Sequence, residues 1–339
     1  MAARHWQELQ GKLSVMQLPR SLAGADGRVF GGQKVRLLRI YLAATTFLYL
    51  YGVTFTLFPV RTDLQYGNPA GGIAAIALGT VALVGLAVRP TSTGVALAAA
   101  IIATPMVIAF HVSLTAIYVC MVASMFLAMY VRAFYPPRRA GMLIVMIAGT
   151  FLAAVSVSPA PHTGVITYLI IAVSIVGAAE SFGLVMRALL TAACTDPMTG
   201  LLNRAGWEIQ TAEMIARRRS GSTVTVVALD IDNLKQLNDT FGHDAGDRRI
   251  TEYAAAWRLA APRKAILARL GGDEFAVCMV ESPDLADRFV QTIQATTPEV
   301  SIGTATQSSG SVDIARLLTE ADAVLYEGRG RPLRDGRDP

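Results

Sequence analysis

Three carboxylates in the C-terminal half of the chain stand where they could hold a metal ion. Asp230 ends an apolar run, while Asp273 and Glu274 directly follow the pair Gly271-Gly272. We predict that this glycine pair turns a hairpin. If the hairpin lies beside the run that ends at Asp230, the carboxylates of Asp230 and Asp273 converge. Converging carboxylates on neighbouring strands are typical of sites that hold Mg²⁺ for phosphoryl transfer.

Three polar residues between these segments could bind the rest of a nucleotide. Lys235 lies about one helical turn beyond Asp230, within reach of phosphates. Asn238 carries a donor and an acceptor, and Asp247 accepts hydrogen bonds, so the two side chains together match the edge of guanine. Each feature alone is weak evidence. An Asp-x-Asp is usually a solvated strand end, and a Gly-Gly hairpin is usually only a turn.

The elements that must position these residues alternate between strands and helices. Apolar runs rich in β-branched residues predict four strands, at Thr223–Leu229, Ile266–Leu270, Glu274–Val280 and Val300–Ala305. Longer amphipathic segments predict four helices, at Leu234–Thr240, Asp247–Leu259, Ala286–Ala295 and Ile314–Tyr326. The order β-α-α-β-β-α-β-α favours an antiparallel sheet with helices on one face, a palm-like α+β layout.

Three motifs, in this order, resemble those of the GGDEF diguanylate cyclase family, which has a nucleotidyl-cyclase-like fold. DPMTGLLNR at residues 196–204 is similar to the family's D-x-L-T-G-L-x-N-R. The stretch from Asp230 to Asp247 is similar to D-x-D-x-F-K-x-x-N-D followed by F-G-H-x-x-G-D, and GGDEF itself stands at residues 271–275. The likeness continues through Ser301-Ile-Gly303 and Ala321-Asp322. It covers nearly all of residues 194–330.

The resemblance implies metal-binding and catalytic roles for five residues. Asp230, the Ile231 carbonyl and Asp273 would bind two Mg²⁺ or Mn²⁺ ions per active site. Glu274 would support the metal site or the incoming 3′-hydroxyl. Lys235 would contact the phosphates, as both a catalytic and a substrate-binding residue.

The remaining substrate-binding residues implied by the family lie on both sides of the signature motif. Asn238 and Asp247 would bind guanine, and Gly271 and Gly272 would let the backbone approach the substrate closely. Arg329 takes the place of a lysine that meets phosphates in the family. It is not an equivalent replacement, because Arg and Lys differ in geometry at phosphates.

The resemblance implies that the chain is an enzyme that makes cyclic di-GMP from two GTP molecules and releases two pyrophosphates. Two domains would face each other, each with one GTP, so we expect a homodimer through this domain and the membrane helices. Two alternatives stay open. One is a degenerate GGDEF domain that binds GTP as a regulatory module without turnover, and the other is a transporter with an appended regulatory domain.

Besides Arg329, further positions depart from the family pattern. The inhibitory R-x-x-D motif, expected nine and six residues before Gly271, is replaced by Pro262 and Ala265, so product inhibition through that site should be absent. Leu333 occupies the position of an arginine that meets phosphates in the family. The metal and guanine residues are unaffected by these changes.

The N-terminal half of the chain predicts a multi-pass membrane region. The whole sequence is 53% hydrophobic and only 16% charged, well below the ~25% charged residues of an average soluble domain. Six apolar stretches approach the length that spans a bilayer. They are Ile40–Val60, Gly71–Val88, Gly94–Phe110, Val112–Val131, Gly141–Val157 and Gly164–Phe182.

Charge placement predicts the orientation and the partners. Lys and Arg concentrate before the first stretch and after the second, fourth and sixth, which places the N-terminus and the C-terminal domain in the cytoplasm of a bacterium, with the protein in its cytoplasmic membrane. Residues 191–339 hold 17 Lys/Arg and 21 Asp/Glu, a net charge of −4. An acidic domain argues against nucleic acid as a partner.

These observations divide the chain into five segments. We predict a cytoplasmic tail at 1–36, a six-helix sensor or anchor region at 37–183, a signalling helix at 184–194, the GGDEF domain at 195–332 and a tail at 333–339. The sixth apolar stretch continues without a break signal to Cys194. Glu180, near the cytoplasmic end of that stretch, is a carboxylate at membrane depth and therefore a candidate for a signalling role.

Overall fold

The structure is a computed structural model that describes residues 31–59, 67–160, 164–219, 221–280, 283–308 and 310–328. The described residues form two compact units, one ending at Ala188 and the other beginning at Leu189. The predicted tails and Arg329 therefore lie largely or wholly outside the described residues.

The first unit consists of apolar helices, the last of which continues past Ala188 into the residues of the second unit. They are α1 (Gly31–Leu57), α2 (Ala70–Val88), α3 (Thr93–Ala109), α4 (Leu114–Phe134), α5 (Pro137–Val157) and α6 (Val165–Cys194). Within the described residues, five of these helices are long and apolar enough to cross a membrane, whereas α3 is apolar but has 17 residues. The predicted six-helix region is thus supported for five helices. The predicted continuation of the last helix to Cys194 matches α6.

Large apolar side chains cover the outside of this unit. Val81 on α2, Val95 on α3, Val145 on α5 and Val165 on α6 are each at least 70% exposed. Exposed apolar surface of this extent is unfavourable in water but suits contact with lipid chains. The helices are therefore consistent with a membrane-spanning region.

Basic residues gather at one end of the first unit. Tyr130 on α4 donates a hydrogen bond to the carbonyl of Lys34 (3.2 Å), and Arg39 donates to the carbonyl of Leu86. These contacts bring the start of α1, the end of α2 and the end of α4 together. All described Lys and Arg residues from 31 to 188 lie near these three helix ends, near the start of α5 or in the last part of α6. They are Lys34, Arg36, Arg39, Arg89, Arg132, Arg138, Arg139 and Arg187.

The second unit alternates helices and strands. After α6 come α7 (Arg204–Arg217), β1 (Val224–Ile231), α8 (Leu234–Phe241), α9 (His243–Ala260), β2 (Ile266–Arg269), β3 (Glu274–Met279), α10 (Pro283–Thr296), β4 (Val300–Gln307) and α11 (Ile314–Gly328). The predicted order from β1 onward is confirmed. Sequence reasoning missed α7, although Asn203 is a recognisable N-cap whose side chain accepts a hydrogen bond from the backbone of Gly206 (2.9 Å).

The four strands form one antiparallel sheet in the order β2-β3-β1-β4. Strand β1 is central, and all eight of its residues are buried. Its register places Asp230 opposite Glu274 on β3 and Ser301 on β4. The predicted hairpin of β2 and β3 does lie beside β1, so the carboxylate-bearing ends of β1 and β3 meet.

Helices pack on both faces of this sheet, so the prediction of helices on one face was wrong. Val227 and Leu229 of β1 share a core with Trp257 of α9 and Phe289 of α10. The alternate β1 residues, represented by Val226, share a second core with residues of α7 and α11. The physical reason lies in the β1 sequence: an uninterrupted apolar run gives both faces of the strand apolar side chains, and each face must be covered.

Candidate active site

A buried carboxylate lies near the C-terminal end of the central strand β1. Asp230 is 8% exposed, although charged side chains are rarely buried to this extent. The next residue, Ile231, donates its backbone N–H to the carbonyl of Asp273 (3.2 Å). Asp230, Ile231, Asp273 and Glu274 are therefore brought together, as the sequence predicted.

The turn between β2 and β3 is held by an arginine that sequence reasoning did not single out. Nε of Arg269 donates to the carbonyls of Gly271 and Gly272 (3.1 Å each), and its Nη2 donates to that of Gly272 (2.7 Å). Nη1 of the same guanidinium lies 3.3 Å from a carboxylate oxygen of Asp196. Arg269 thus connects the opening DPMTGLLNR motif to the GGDEF turn.

Asp196 is held in its charged form by this arrangement. Its partial burial would raise its pKa, but hydrogen bonds from the backbone and hydroxyl of Thr199 and the charge of Arg269 outweigh burial and lower the pKa below its ordinary value. The carboxylate therefore remains available to Arg269. This contact joins residues 73 positions apart in the chain.

The side chains near the strand ends fit a divalent metal ion by their donor chemistry. The carboxylate of Asp273 makes no hydrogen bond or ion pair with any residue the structure describes, and Asp230 and Ile231 at the end of β1 lie beside Asp273. Mg²⁺ in nucleotide enzymes is commonly bound by one or two carboxylates together with substrate phosphates. Among the described residues, no group of three or more His, Cys, Asp or Glu side chains is placed to hold a metal ion by itself, so phosphate oxygens would have to complete the coordination.

Asp232 contributes to structure at this edge. It accepts a hydrogen bond from the hydroxyl of Ser301 (2.7 Å), and its backbone N–H donates to the carbonyl of Glu299 (3.0 Å). Asn233 follows with φ of 56°, a left-handed conformation that turns the chain from β1 into α8. Lys235 then stands exposed on the first turn of α8 and forms no hydrogen bond or ion pair within the described ranges.

A side-chain amide with an unused acceptor lies where α8 meets α9. The Oδ1 atom of Asn238 is buried and has no hydrogen-bond partner among the described residues. A Cβ atom added to Gly246 would lie 2.0 Å from that Oδ1, so only glycine leaves room for it. Asp247 follows Gly246 on α9 and is exposed. An unsatisfied buried acceptor is unfavourable alone but suits a ligand that brings N–H donors.

Two further charged residues adjoin the carboxylates and were given no role from the sequence. Arg204 and Asp322 line a cavity of about 80 Å³ together with Asp230 and Glu274. Burial, the charge of Glu274 and that of Asp230 raise the pKa of Asp322 to about 6, although Arg204 acts in the opposite direction. Arg204 ends the DPMTGLLNR motif and Asp322 belongs to the pair Ala321-Asp322, so the family resemblance could have identified both residues.

Comparison with known proteins supports an assignment of the second unit. A sequence model described as "Diguanylate cyclase, GGDEF domain" matches residues 193–332. The chain is 36% identical over 168 residues to an uncharacterized 19.3 kDa protein of Streptomyces ambofaciens, a match covering 46% of this chain and 88% of that protein. It is 41% identical over 118 residues to DgcJ of Escherichia coli, a probable diguanylate cyclase, covering 32% of this chain and 23% of that protein.

Solved structures of GGDEF domains are also among the proteins to which this chain is similar. The GGDEF domain of DgcB from Caulobacter crescentus, in complex with c-di-GMP, is 31% identical and is covered to 90%, against 41% of this chain, with a TM-score of 0.36. The chain thus spans most of the Streptomyces protein and most of this domain, but less than a quarter of the Escherichia coli protein.

Proposed function

Through residues 193–332 this chain belongs to the GGDEF diguanylate cyclase family, and from that membership we propose that it condenses two GTP molecules into cyclic di-GMP, with release of two pyrophosphates. One observation carries the proposal. The buried carboxylate of Asp230 and the unpaired carboxylate of Asp273 meet at the end of neighbouring strands. This is the arrangement that metal-assisted transfer to an α-phosphate requires.

The corner of α8 and α9 supports guanine as the base. The unpartnered Oδ1 of Asn238 would accept from a guanine N–H, and Asp247 would accept from a second donor on the same edge. Lys235, one turn before Asn238 on α8, would contact the phosphates. Arg329, the next residue in the chain after the last one of α11, would add a second phosphate contact.

In the proposed reaction, the 3′-oxygen of each GTP in turn forms a bond to the α-phosphorus of the other, so that two phosphodiester bonds close the ring. At each attack the bond from that phosphorus to the pyrophosphate oxygen breaks, one pyrophosphate leaves, and the 3′-hydroxyl loses its proton to solvent. Asp230, Asp273 and the Ile231 carbonyl would hold two Mg²⁺ or Mn²⁺ ions. When bound, these ions would lower the pKa of the 3′-hydroxyl and neutralise the negative charge that develops during the transfer. Glu274 would orient the hydroxyl, and the glycines of the turn would admit the phosphates.

Each domain offers one set of these residues, so we propose a homodimer in which two domains face each other around two GTP molecules. Two-fold symmetry is the simplest arrangement for identical half-sites. The membrane helices would contribute to the same dimer. We further propose that the first unit spans the bacterial cytoplasmic membrane, with the cyclase domain on the cytoplasmic side and the helices regulating it.

The decisive experiment is conversion of GTP to cyclic di-GMP by the full-length protein in detergent with Mg²⁺ or Mn²⁺. We expect product from the wild type and none from Asp273→Ala. The matched control is Asp287→Ala, which removes an exposed carboxylate on α10 and should leave the rate unchanged. Equal activity in both variants would contradict the proposed site.

A second outcome would favour the regulatory alternative. Leu333 replaces an arginine of the family pattern, which weakens the expected phosphate contacts. If the wild type is dimeric and binds GTP yet forms no product with either metal ion, the chain is better described as a GTP-binding regulatory module. Calorimetry with a non-hydrolysable GTP analogue separates loss of binding from loss of turnover.

A further inference from the structure

A cleft of about 580 Å³ lies at the basic end of the first unit, far from the nucleotide residues in sequence. It is lined by the start of α1, including Gly31, Gly32, Arg36 and Arg39, and by the turn residues Pro90-Thr91 that join α2 to α3. Its volume falls within the range of ~300–1,000 Å³ that is usual for small-ligand sites. Nothing in the proposed cyclase reaction uses these residues.

Arg39 is anchored in this cleft with part of its hydrogen-bonding capacity unused. Its Nη2 donates to the carbonyl of Leu86, one of the last carbonyls of α2, which would otherwise lack a helical partner. Its Nε–H is buried and has no partner among the described residues. A buried N–H without an acceptor is costly, so an acceptor supplied by a ligand would be favourable here.

The positive charge of the cleft is not neutralised within the described part of the first unit. Glu180 is the only described carboxylate between residues 31 and 188, and it pairs with Arg132 (3.1 Å). Arg36 and Arg39 form no ion pair with any described residue, and Arg89 directly precedes Pro90. The cleft therefore combines two guanidinium groups, an unused donor and the apolar walls of Val35 and Pro90.

We propose that this cleft binds the phosphate headgroup of an anionic phospholipid. One guanidinium group can donate two parallel hydrogen bonds to a phosphate. Basic pockets between membrane helices are typical sites for lipid headgroups. A membrane lipid fits better than a free phosphate. The cleft opens at the ends of apolar helices, where headgroups lie, and its apolar walls suit the glycerol and upper acyl carbons.

The test is retention of lipid by full-length protein placed in nanodiscs of equal parts phosphatidylglycerol and phosphatidylcholine, extracted in mild detergent and analysed by native mass spectrometry. We expect the wild type to retain phosphatidylglycerol selectively. Arg36→Gln and Arg39→Gln should each weaken retention about fivefold, the effect of removing ~1 kcal/mol per basic residue. The control Arg138→Gln/Arg139→Gln removes two exposed charges from the start of α5 and should retain the lipid.

Three results would overturn the proposal. Equal loss in the control pair would indicate general attraction to a basic surface. Equal retention of phosphatidylcholine would show that the anionic headgroup is not recognised. Displacement of the lipid by an equal concentration of glycerol 3-phosphate would assign the cleft to a soluble phosphate. If Arg39→Gln fails to fold because α2 loses its contact, Arg36→Gln, which leaves that contact intact, decides the question alone.

Discussion

Individual polar groups in the second unit are positioned by contacts that exist without substrate. Arg269 holds three carbonyl contacts in the turn before Asp273, and Gly246 leaves space for the side chain of Asn238. These features hold the turn before Asp273 and leave the space that the amide of Asn238 occupies. Less ordering is then required when the substrate binds.

The space at Gly246 leads to a prediction about base recognition. A Cβ 2.0 Å from Oδ1 must displace the amide of Asn238, so we expect Gly246→Ala to raise KM for GTP about tenfold with a smaller change in kcat, the loss of about one hydrogen bond in substrate binding. Steady-state kinetics of product formation measures both constants.

A double-mutant cycle provides the control for this prediction. If Gly246 acts through Asn238, Gly246→Ala should have no further effect in an Asn238→Ala background. Additive effects of the two substitutions would show that Gly246 has another role. Calorimetric binding of a GTP analogue by the same variants gives the answer even if the chain does not turn over GTP.

Asp322 leads to a prediction about pH. Its pKa is raised from 3.8 to about 6, chiefly by burial, so the cost of ionising it in the folded protein grows between pH 4 and pH 6 and is complete above pH 6. At pH 3 the carboxyl group is mostly protonated in both the folded and the unfolded protein. We expect Asp322→Asn to stabilise the metal-free protein by about 1 kcal/mol at pH 8, a value reduced for partial exposure. At pH 3 it should have almost no effect.

Unfolding of the second unit can be followed through Trp207 and Trp257, two of the three tryptophans of the chain. The predicted stabilisation corresponds to a Tm about 2–4 °C higher in buffer with EDTA at pH 8. Asp287→Asn, at an exposed position, serves as control and should leave Tm unchanged. An equal rise of Tm for Asp322→Asn at both pH values would contradict this account.

At the scale of elements, an ion pair between two side chains joins α6 to α4. Nε and Nη2 of Arg132 donate to a carboxylate oxygen of Glu180 (3.2 Å each), and the arginine side chain is only 9% exposed. Gly183, one turn beyond Glu180, makes room for it, because a Cβ there would lie 2.8 Å from Cγ of Arg132. The carboxylate suspected from the sequence alone is thus half of an interhelical pair.

We expect Gly183→Leu to break this pair by displacing the Arg132 side chain. The cost of overpacking is about 1–3 kcal/mol, which should lower the Tm of the full-length protein in detergent, followed by circular dichroism. Because α6 continues without interruption to Cys194, the rate of cyclic di-GMP formation should change as well.

Gly177→Leu is the matched control for the membrane substitution. It lies on the same helix, and a Cβ there meets no atom within 4 Å. We expect it to leave both Tm and the rate unchanged. Equal effects of the two substitutions would mean that leucine is tolerated poorly anywhere on α6, and the role of the Arg132–Glu180 pair would then lose its support.

At the scale of the whole molecule, the proposed cyclase lacks one form of feedback. Pro262 and Ala265 occupy the positions of the family's inhibitory R-x-x-D motif, in the turn that leads into β2, where Ala265 donates its N–H to the carbonyl of Pro262 (2.9 Å). Neither side chain can form a charged contact with a phosphodiester. Output would then depend on the membrane region or on substrate supply.

We expect cyclic di-GMP, added at a concentration equal to that of GTP, to leave the initial rate of the wild type unchanged. Placing the missing groups by Pro262→Arg with Ala265→Asp should create inhibition that added GTP does not relieve. The measurement is the initial rate of pyrophosphate release at several product concentrations. Inhibition of the wild type that GTP does not relieve would show a second product site elsewhere.

Much of this architecture could be predicted because its signals are local. Apolar stretches of bilayer length, short apolar runs rich in β-branched residues and amphipathic helices depend on neighbouring residues, and so does the spacing of Asp230, Lys235 and Asn238. Even the convergence of Asp230 with Asp273 followed from one assumption, that the hairpin lies beside β1. The register of the sheet bears this out by pairing Asp230 with Glu274.

Contacts between distant residues depended on the tertiary structure. The Arg269–Asp196 contact spans 73 positions and the Arg132–Glu180 pair spans 48, and Asp322 comes near Glu274 only because α11 packs on the sheet. No periodicity encodes such pairs, since they arise from how elements pack. The chain by itself therefore determined which residues could do chemistry and in which elements they lie. Packing decided which neighbours hold them, and why helices cover both faces of the sheet.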